Sequence, residues 1–366
     1  MPTAAGISSV IARHWSRRDA VSFALYPVSL LFRLLVALRR GAYRLGIFSS
    51  SRLAVPVVVV GNLTVGGSGK TPLVIALAQE LARRGLQPGI VSRGHGGSGT
   101  APRAVRENGE AADFGDEPLL LARKCGGPVW VGRDRAAAGA ALLAAHPQCD
   151  LLLLDDGLQH YALARDFEIA GEDARGFGNG FMLPAGPLRE PAARPVDARV
   201  INTEPATRPV DARVINTEPG VRPVDARVIN SGPDDRRASP AAATFSMRLA
   251  TRRLYRLDDP AREVAAGELA GLRLHAVAGI GNPARFFAQL DALGLACATH
   301  AFPDHHVFTP QDVLFDDCDA VLMTEKDAVK CTHFGRTDLY ALEVQAEIDP
   351  ALIELILRRI HGRTPA

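Results

Sequence analysis

A glycine-rich segment that ends in lysine and threonine has the clearest chemical potential in this sequence. It reads GNLTVGGSGKT over residues 61–71, between the β-branched run AVPVVVV and the helical pattern PLVIALAQELARRG. Backbone N–H groups of such a loop can turn onto phosphate oxygens, and the helix N-terminus adds its positive end. The pattern predicts a P-loop, although a threonine stands where the strict pattern has its first glycine. The predicted nucleotide-binding residues are Thr64, Val65, Gly66, Gly67, Ser68, Gly69, Lys70 and Thr71.

Two adjacent aspartates form the second half of the predicted site. Asp155 and Asp156 follow the apolar run LLLL, so a buried strand would deliver them at its carboxyl end, where open α/β sheets bind ligands. In P-loop proteins the lysine reaches the β- and γ-phosphates, while hydroxyl and carboxylate oxygens hold Mg²⁺. We predict that the Mg²⁺ ligands come from Thr71, Asp155 and Asp156; one aspartate could hold the ion while its neighbour orients water or the acceptor. The alternative is that both aspartates only cap a turn.

Phosphoryl transfer to a hydroxyl also needs a group that accepts the hydroxyl proton. Asp116 in GDEP is one candidate, and His305 and His306 in PDHH are the others. On its own, a DHH triplet in a loop is more often a surface turn, and no further histidine or cysteine stands at metal-ligand spacing. Arginines in Gly- or Pro-rich loops could clamp phosphates, and these are Arg93, Arg133, Arg135, Arg175 and Arg189.

The elements that position these groups begin with an apolar segment near the N-terminus. Residues 20–38 read AVSFALYPVSLLFRLLVAL and, as a helix, would extend about 28 Å, close to the thickness of a hydrocarbon core. An internal proline and an internal arginine argue against a simple span. Polar residues at helical spacing share one narrow stripe, which predicts a helix in or on a bilayer, with Arg39, Arg40 and Arg44 near anionic headgroups. The alternative is a core helix of a soluble domain.

The composition limits the class of protein. The chain has 366 residues, enough for about two domains, in ordinary globular proportions. Its 42 lysines and arginines against 40 aspartates and glutamates give a net charge of +2, which argues against a nucleic-acid partner. The five cysteines include no C-x-x-C pair, so we expect neither a disulfide framework nor a thiolate zinc site. A reducing compartment fits this usage.

The chain is predicted to divide into three parts, namely a membrane-associated helical segment (1–50), a P-loop domain (51–245) and a C-terminal α/β domain (246–366). A tandem repeat with a period of 14 residues covers 194–235, and each copy holds the short strand ARVIN. Near-identity indicates recent duplication, so two copies are expected to form a surface loop or to pair weakly at a sheet edge. The predicted fold class is α/β, a P-loop NTPase-like parallel sheet domain with a second, smaller α/β domain and an N-terminal membrane-associated helix.

Three further segments are interpreted as structural. TFSMRLATRRLYRL, after the repeat, is interpreted as a strand pair or a linker. GIGNPA at 279–284 imitates a dinucleotide fingerprint, but no acidic residue ends a following strand at the right distance, so it is interpreted as a strand-to-helix turn. TEKD at 324–327 resembles a guanine-specificity motif with its lysine one place late, and it gives no reason to prefer GTP.

The chain contains a series of longer motifs, which are, in order, VVVVGNLTVGGSGKTPLV, VSRGHGG, GDEPLLLA, VGRDRAAAG, LLLLDDGLQHYALARDFEI, RGFGNGFMLPAGPLREP, AGIGNPARFFAQL, FPDHHVFT and MTEKDAVKC. In content and order this set resembles the tetraacyldisaccharide 4′-kinases, the lipid A 4′-kinases of Gram-negative bacteria. Together with the N-terminal helix the motifs extend to about residue 330. Each short motif is weak, but the ordered set is specific.

The resemblance implies phosphorylation of the 4′-hydroxyl of an acylated glucosamine disaccharide 1-phosphate, a lipid A precursor, by ATP with Mg²⁺. It implies that Asp116 and His305 form a catalytic dyad, and such a pair makes chemical sense because the imidazole can relay or stabilise the proton that the carboxylate takes. Lys70, which reaches the β- and γ-phosphates, is predicted as the third catalytic residue. The basic residues that follow the N-terminal apolar run predict an anionic inner-leaflet surface as partner and place the downstream chain at the cytoplasmic face of the bacterial inner membrane. No sequence feature identifies a protein partner.

A second hypothesis is a P-loop ATPase of the partition or assembly type, with water as acceptor and a protein partner. Whether ATP consumption requires a glycolipid would separate the two hypotheses. A third, an inactive binding module, is disfavoured because the P-loop lysine and threonine and both aspartates are present.

Overall fold

The structure is a computed structural model that describes residues 14–67, 69–203 and 242–361. Its strands are β1 (Val57–Gly61), β2 (Pro88–Ser92), β3 (Arg103–Ala104), β4 (Val129–Val131), β5 (Leu151–Asp155), β6 (Phe167–Asp173), β7 (Ala198–Asn202), β8 (Ala243–Arg256), β9 (Glu263–Val264), β10 (Leu274–Ala278), β11 (Cys297–Ala301), β12 (Ala320–Thr324) and β13 (Leu339–Ile348). Its α-helices are α1 (Ala20–Arg44), α2 (Lys70–Arg83), α3 (Ala111–Phe114), α4 (Asp116–Cys125), α5 (Arg135–Ala145), α6 (Ala266–Leu269), α7 (Pro283–Ala292), α8 (Glu325–Cys331) and α9 (Pro350–His361).

All the described strands belong to one sheet, in the order β11-β10-β12-β13-β8-β7-β6-β1-β5-β2-β4-β3, with β9 paired to β8. The sheet has a first group of strands, β1 to β7, and helices cover both faces of this group, as the burial of β1 shows. Val58 and Val60 lie in one core cluster with α2, and Val57 and Val59 lie in another with α5. A strand buried on both faces needs apolar residues at every position, which is what AVPVVVV supplies. The predicted α/β class is confirmed.

The β1–α2 unit sets up the glycine-rich loop. β1 pairs in parallel with β5 and β6, so its carboxyl end lies beside the carboxyl ends of both neighbours. Gly69, with φ of 84°, takes the left-handed conformation that glycine adopts at no steric cost, and α2 begins at the next residue. Leu73, Leu77 and Leu81 recur at intervals of four and bury one face of α2 against the sheet. The loop is therefore held between two rigid elements.

A second group of mostly parallel strands continues the sheet. β10 pairs in parallel with β11 and β12, and β12 with β13, while β13 runs antiparallel to β8. The prediction of a strand pair or linker after the repeat was wrong, because β8 is a single strand of 14 residues. It contains no glycine or proline that would turn it, and β7 and β13 satisfy its two edges. β8 thus joins the two groups of strands.

Helix α1 packs the two serines of its polar stripe against the protein, while its internal arginine, Arg33, and most of its large apolar side chains are exposed. Ser22 and Ser29 are buried, and the Ser29 hydroxyl donates to the Met182 carbonyl at 2.8 Å. The exposed apolar residues are Val21, Phe23, Val28, Leu30, Leu31, Leu34, Leu35 and Leu38. Within the described ranges, α1 is the one helix that could cross a membrane by length and composition.

The predicted P-loop domain and C-terminal domain are in contact through α9 and through the central strands of the sheet. The buried residues of α9 share a core cluster with α2 and β1, so the C-terminal helix packs on the first group of strands. β7 is the ARVIN strand of the first repeat copy, and it lies between β6 and β8 in the interior of the sheet. The later copies, over 208–235, lie outside the described residues. The domain boundaries after residues 50 and 245 stay predictions.

Candidate active site

A cavity of about 740 Å³ lies at the carboxyl ends of the parallel strands. Its walls are the glycine-rich loop, the ends of β2 and β12, the segments that follow β5 and β10, and Arg39 of α1. Open α/β sheets bind their ligands at this edge. Both groups of strands therefore contribute to one cavity.

The structure places most of the predicted P-loop residues in the wall of this cavity. Val65, Gly66, Gly67, Gly69, Lys70 and Thr71 line it, and Ser68 lies outside the described residues. Thr64 does not line the cavity but forms a bridge with Leu188, next to the hydrogen bond from the Val65 N–H to the Pro187 carbonyl at 2.9 Å. The segment after β6 thus supports the start of the loop.

Lys70 and the second aspartate are in direct contact. Lys70 Nζ lies 3.2 Å from Asp156 Oδ1, and Arg189 Nη1 lies 3.2 Å from Asp156 Oδ2. Burial alone would raise the pKa of Asp156, but the two cations lower it to about 2. With φ of 50°, Asp156 occupies the left-handed region, which places its side chain beyond the end of β5. The P-loop cation and a charged carboxylate therefore share one corner of the cavity.

Asp155 has the opposite electrostatic environment. It ends β5, is almost completely buried, and receives one hydrogen bond, from the Ser92 hydroxyl to Oδ2 at 3.4 Å. Its Oδ1 is buried without a hydrogen-bond partner. Burial and the carboxylates of Glu117 and Asp156 raise the pKa of Asp155 to about 7. A buried carboxylate that has an unsatisfied oxygen and lies among other carboxylates is suited to bind a cation.

The structure brings Asp116 and His305 together, although 189 residues separate them. His305 Nδ1 lies 3.0 Å from Asp116 Oδ1 and 3.1 Å from Oδ2. Burial by itself would raise the pKa of Asp116, but its contacts with His305 and two lysines lower it to about 2. The hydrogen bond with Asp116 raises the pKa of His305. His305 lines the cavity, so the imidazole can reach a bound ligand while the carboxylate stays behind it.

Local backbone geometry holds this pair in place. Asp116 opens α4 directly after Gly115, whose φ is 90° and whose α-hydrogen faces the His95 carbonyl so closely that a side chain would collide. The His95 ring in turn packs edge-on against His305, with ring centroids 5.0 Å apart. His306 turns away from the cavity, with Nε2 3.2 Å from Asp312 Oδ2. Of the two histidines in the DHH triplet, His305 is therefore the one at the site.

Sequence reasoning missed two lysines and two acidic residues beside this pair. Lys326, in the first turn of α8, lies within 3.0 Å of Glu117 and 3.3 Å of Asp304, and it contacts His305. Lys330, one turn later, lies 3.7 Å from Asp116. The signal was present in the GDEP and MTEKD motifs, but TEKD was weighed only as a base-specificity motif. Its position at the end of β12 brings it to the cavity.

Two other predicted features have mixed outcomes. The GIGNPA turn follows β10 as predicted, but it also meets the P-loop, because a Cβ at Gly281 would lie 2.9 Å from the Gly67 nitrogen. Of the five arginines considered for phosphates, Arg93, Arg133, Arg135 and Arg189 line the cavity. Arg175 does not, since its guanidinium bonds to the Asp173 carboxylate and to the Gly67 carbonyl.

A glycine-rich loop ahead of a helix, two aspartates at a strand end and an Asp–His pair, all around one cavity, together define a P-loop phosphotransferase. The family model of tetraacyldisaccharide-1-P 4′-kinases matches residues 21–361. The chain therefore belongs to the tetraacyldisaccharide-1-P 4′-kinase family, a family of kinases of lipid A biosynthesis. The resemblance found in the motifs is confirmed, and the hypothesis of a partition-type ATPase is set aside.

Individual relatives agree with this membership. A tetraacyldisaccharide 4′-kinase of Azoarcus sp. (strain BH72) is 47% identical over 369 residues and is covered completely, as is this chain. A tetraacyldisaccharide 4′-kinase of Methylobacillus flagellatus is 46% identical over 353 residues, covering 96% of this chain and 95% of that protein. The crystal structure of an "apo" form of LpxK from Aquifex aeolicus in complex with ATP is similar with a TM-score of 0.71 and 28% identity, over 93% of this chain and 99% of that one.

Proposed function

We propose that this protein transfers the γ-phosphoryl group of ATP to the 4′-hydroxyl of an acylated glucosamine disaccharide 1-phosphate, a lipid A precursor. Family membership supports the reaction and the lipid, and the ATP complex of the Aquifex aeolicus relative supports the nucleotide. The observation that carries the proposal to these residues is the contact of His305 with Asp116 in the cavity that the P-loop also lines.

In this proposal His305 is the general base and Asp116 orients it. The sequence-based hypothesis gave the proton to the carboxylate, but two observations favour the imidazole. Asp116 is 5% exposed and its pKa of about 2 keeps it ionised and a poor proton acceptor. His305 faces the cavity, and Asp116 raises its pKa, which strengthens it as a base near neutral pH.

Lys70 and the cavity arginines would bind the triphosphate. Lys70 stands at the start of α2, where the helix dipole and the loop N–H groups also favour anions. When Lys70 turns to the β- and γ-phosphates, Arg189 keeps Asp156 paired, so the carboxylate stays charged. Arg93 and Arg133 line the same cavity and add positive charge for phosphate oxygens.

Thr71, Asp155 and Asp156 would hold Mg²⁺. The unsatisfied Oδ1 of Asp155 and its raised pKa suit a carboxylate that binds a cation, because a nearby divalent charge stabilises the ionised form. Mg²⁺ is commonly bound by one or two carboxylates together with substrate phosphates. When bound, Mg²⁺ neutralises charge on the phosphate oxygens.

α1 would place the site at the membrane surface. Its exposed apolar face, with Leu31, Leu35 and Leu38 each more than half exposed, fits a bilayer that covers it. Arg39 lines the cavity, so the end of α1 and the site adjoin. A substrate held in the same bilayer by its acyl chains would present its sugar to the cavity. We propose the cytoplasmic face of the inner membrane as the location and no nucleic acid as partner.

The test is phosphate transfer from γ-labelled ATP to the lipid A precursor in detergent micelles, with product position determined by mass spectrometry. Transfer to the 4′-hydroxyl is expected for the full chain. Lys70→Ala should lower turnover by on the order of 10²–10³ because it removes a cation that faces charge developing on the phosphates. ATP hydrolysis that ignores the lipid, with no phospholipid product, would contradict the proposal.

A further inference from the structure

Lys326 makes a contact that the proposed reaction does not yet use. Its Nζ lies 3.4 Å from His305 Nε2, the ring atom on the far side from Asp116. An ammonium has three donor hydrogens and no lone pair, so Nε2 must be the acceptor in this contact. The proton of a neutral ring is then on Nδ1, where it donates to Asp116. Both neighbours of the imidazole therefore specify the same tautomer.

We propose that Lys326 is a positioning residue, whose ammonium keeps His305 neutral with Nε2 unprotonated and aimed into the cavity until the acceptor hydroxyl replaces it there. The inference rests on the proposed function and deepens it. In the transfer step the hydroxyl oxygen forms a bond to the γ-phosphorus, and the bond from that phosphorus to the bridging oxygen of ADP breaks with its electron pair on ADP. The hydroxyl proton moves to Nε2, and the Asp116 carboxylate faces the resulting imidazolium.

The contacts of Lys326 keep it charged and fixed. Glu117 Oε1 lies 3.0 Å, Asp304 Oδ1 3.3 Å and Asp116 Oδ2 4.0 Å from Nζ. Burial by itself lowers the pKa of Lys326, but these carboxylates raise it well above its usual value. The side chain is 17% exposed. Because the carboxylates hold the ammonium independently of His305, the hydroxyl can take its place at Nε2 without displacing the lysine from the site.

The backbone supports this placement as well. Thr324 caps α8 by accepting from the Asp327 N–H, and Asp327 accepts from the Gly279 N–H at 2.9 Å. These bonds tie the first turn of α8, and so Lys326, to the end of β10. Lys326 therefore projects from a fixed helix start and not from a mobile loop, which is what a positioning role requires.

The charged and titratable groups that face His305 come from four elements. Asp116 approaches from α4, Lys326 from α8, Asp304 from the loop of His305 itself at 3.9 Å, and His95 from the loop after β2. Asp116 raises the pKa of His305 and Lys326 lowers it. Removal of Lys326 removes the cation and leaves Glu117 and Asp304 uncompensated, so both changes raise the pKa of His305.

The first experiment measures kcat/KM from pH 5 to 9 for the full chain and for Lys326→Met and Lys326→Arg in micelles. Activity requires neutral His305, so the acid limb of the Lys326→Met profile should move to higher pH by about one unit, about a tenfold loss on the acid side. Lys326→Arg retains the charge and should keep the acid limb at its wild-type position. Arg248→Met removes an exposed charge at a residue that does not line the cavity, and it should shift nothing.

The second experiment needs no catalysis. Nitrogen-15 NMR of labelled histidines in the lipid-free protein, with the His305 signals assigned by their loss in His305→Gln, reports the tautomer and the pKa of His305. We expect Nδ1 protonation in the wild-type protein and a raised pKa in Lys326→Met. Failure of the wild-type protein to phosphorylate the lipid would contradict the proposed function, and the NMR titration would still decide the role of Lys326.

The proposal is overturned by an Nε2-protonated wild-type ring or by an unchanged His305 titration in Lys326→Met. It is also overturned if Lys326→Met loses the same factor at every pH, or if Lys326→Arg shifts the limb as Lys326→Met does. Thermal unfolding of each variant tests for misfolding, and if Lys326→Met does not fold, the Lys326→Arg profile and the wild-type tautomer decide.

Discussion

Two buried aspartates beside one cavity have opposite pKa shifts, and their neighbours explain why. Asp116 is surrounded by His305, Lys326 and Lys330, which hold its pKa at about 2. Asp155 is almost completely buried beside other carboxylates, and burial and these carboxylates together raise its pKa to about 7. The first is thus a permanent anion that can orient a base, and the second gains most from a cation. Residue type alone would assign both the same role, so the environment separates them.

At the residue scale, Asp116→Asn tests the division of labour in the pair. The amide keeps the size of the side chain but loses the charge that raises the pKa of His305. We expect kcat to fall by on the order of 10²–10⁴ and the acid limb of the pH profile to move to lower pH. The shift is opposite in sign to that expected for Lys326→Met.

The control for this variant is ATP binding, measured by titration calorimetry, which should change little because Asp116 does not line the cavity. A variant with normal turnover and an unchanged profile would show that the pair is not the catalytic dyad.

At the scale of elements, local patterns were predictable and distant contacts were not. The β1 strand, the glycine-rich loop and the aspartates after β5 were predicted because each depends on a few consecutive residues. The contact of Lys326 with Glu117 joins residues 209 apart in sequence, and no periodicity specifies it. Asp116 and His305 were paired only through the resemblance. In α1 the spacing identified the polar stripe. That Ser29 of this stripe is buried depends on its hydrogen bond to Met182, which is 153 residues away in sequence.

The turn after β10 makes a testable contact with the P-loop. A methyl group at Gly281 would lie 2.9 Å from the Gly67 nitrogen, so Gly281→Ala should push the two loops apart. Overpacking of this kind costs about 1–3 kcal/mol, which corresponds to a loss of ATP affinity of roughly 5- to 150-fold if the loops must meet around the nucleotide. Fluorescence titration with a labelled ATP analogue measures the change.

The matched control for this variant is Gly267→Ala in α6, where a Cβ meets no atom within 4 Å. It should bind ATP as the wild-type protein does. Equal affinities for Gly281→Ala and the wild-type protein would mean that the two loops separate freely, and the contact would have no role in nucleotide binding.

Helix α1 gives the membrane prediction at the same scale. Leu31→Glu, Leu35→Glu and Leu38→Glu together replace exposed residues, so the melting temperature should stay within a few degrees of wild type. Loss of about 1.5–3 kcal/mol per buried leucine should lower partitioning into anionic vesicles by a factor of at least about 100. Co-sedimentation with vesicles measures it, and Leu272→Glu, an exposed leucine outside α1, is the control. Unchanged sedimentation of the triple variant would refute the membrane assignment of this face.

At the scale of the whole molecule, one sheet carries both halves of the site, and the tandem repeat enters at its centre. β7 pairs with β6 on one side and β8 on the other, so the first copy supplies a strand that the sheet cannot lose. Arg194 of that copy is buried, with Nη2 2.8 Å from Glu168, and it also pairs with Glu190. All the contacts described for the repeat therefore come from residues of its first copy.

Deleting two of the three copies should leave the sheet and the activity intact. Each copy reads RPVDARVIN at its start, so removal of 208–235 keeps β7, and removal of 194–221 puts Arg222 where Arg194 was. In the second deletion Ser231 replaces Thr203, whose hydroxyl donates to the Met247 carbonyl at 3.2 Å, and a serine hydroxyl can make the same bond. Shortening the connection should even stabilise the fold by on the order of 1 kcal/mol through loop-closure entropy.

Removal of 194–235 takes out β7 itself and should prevent folding. Melting curves and phosphate transfer, measured side by side, compare this deletion with the two others. A folded but inactive two-copy deletion would show instead that the extra copies act in the reaction.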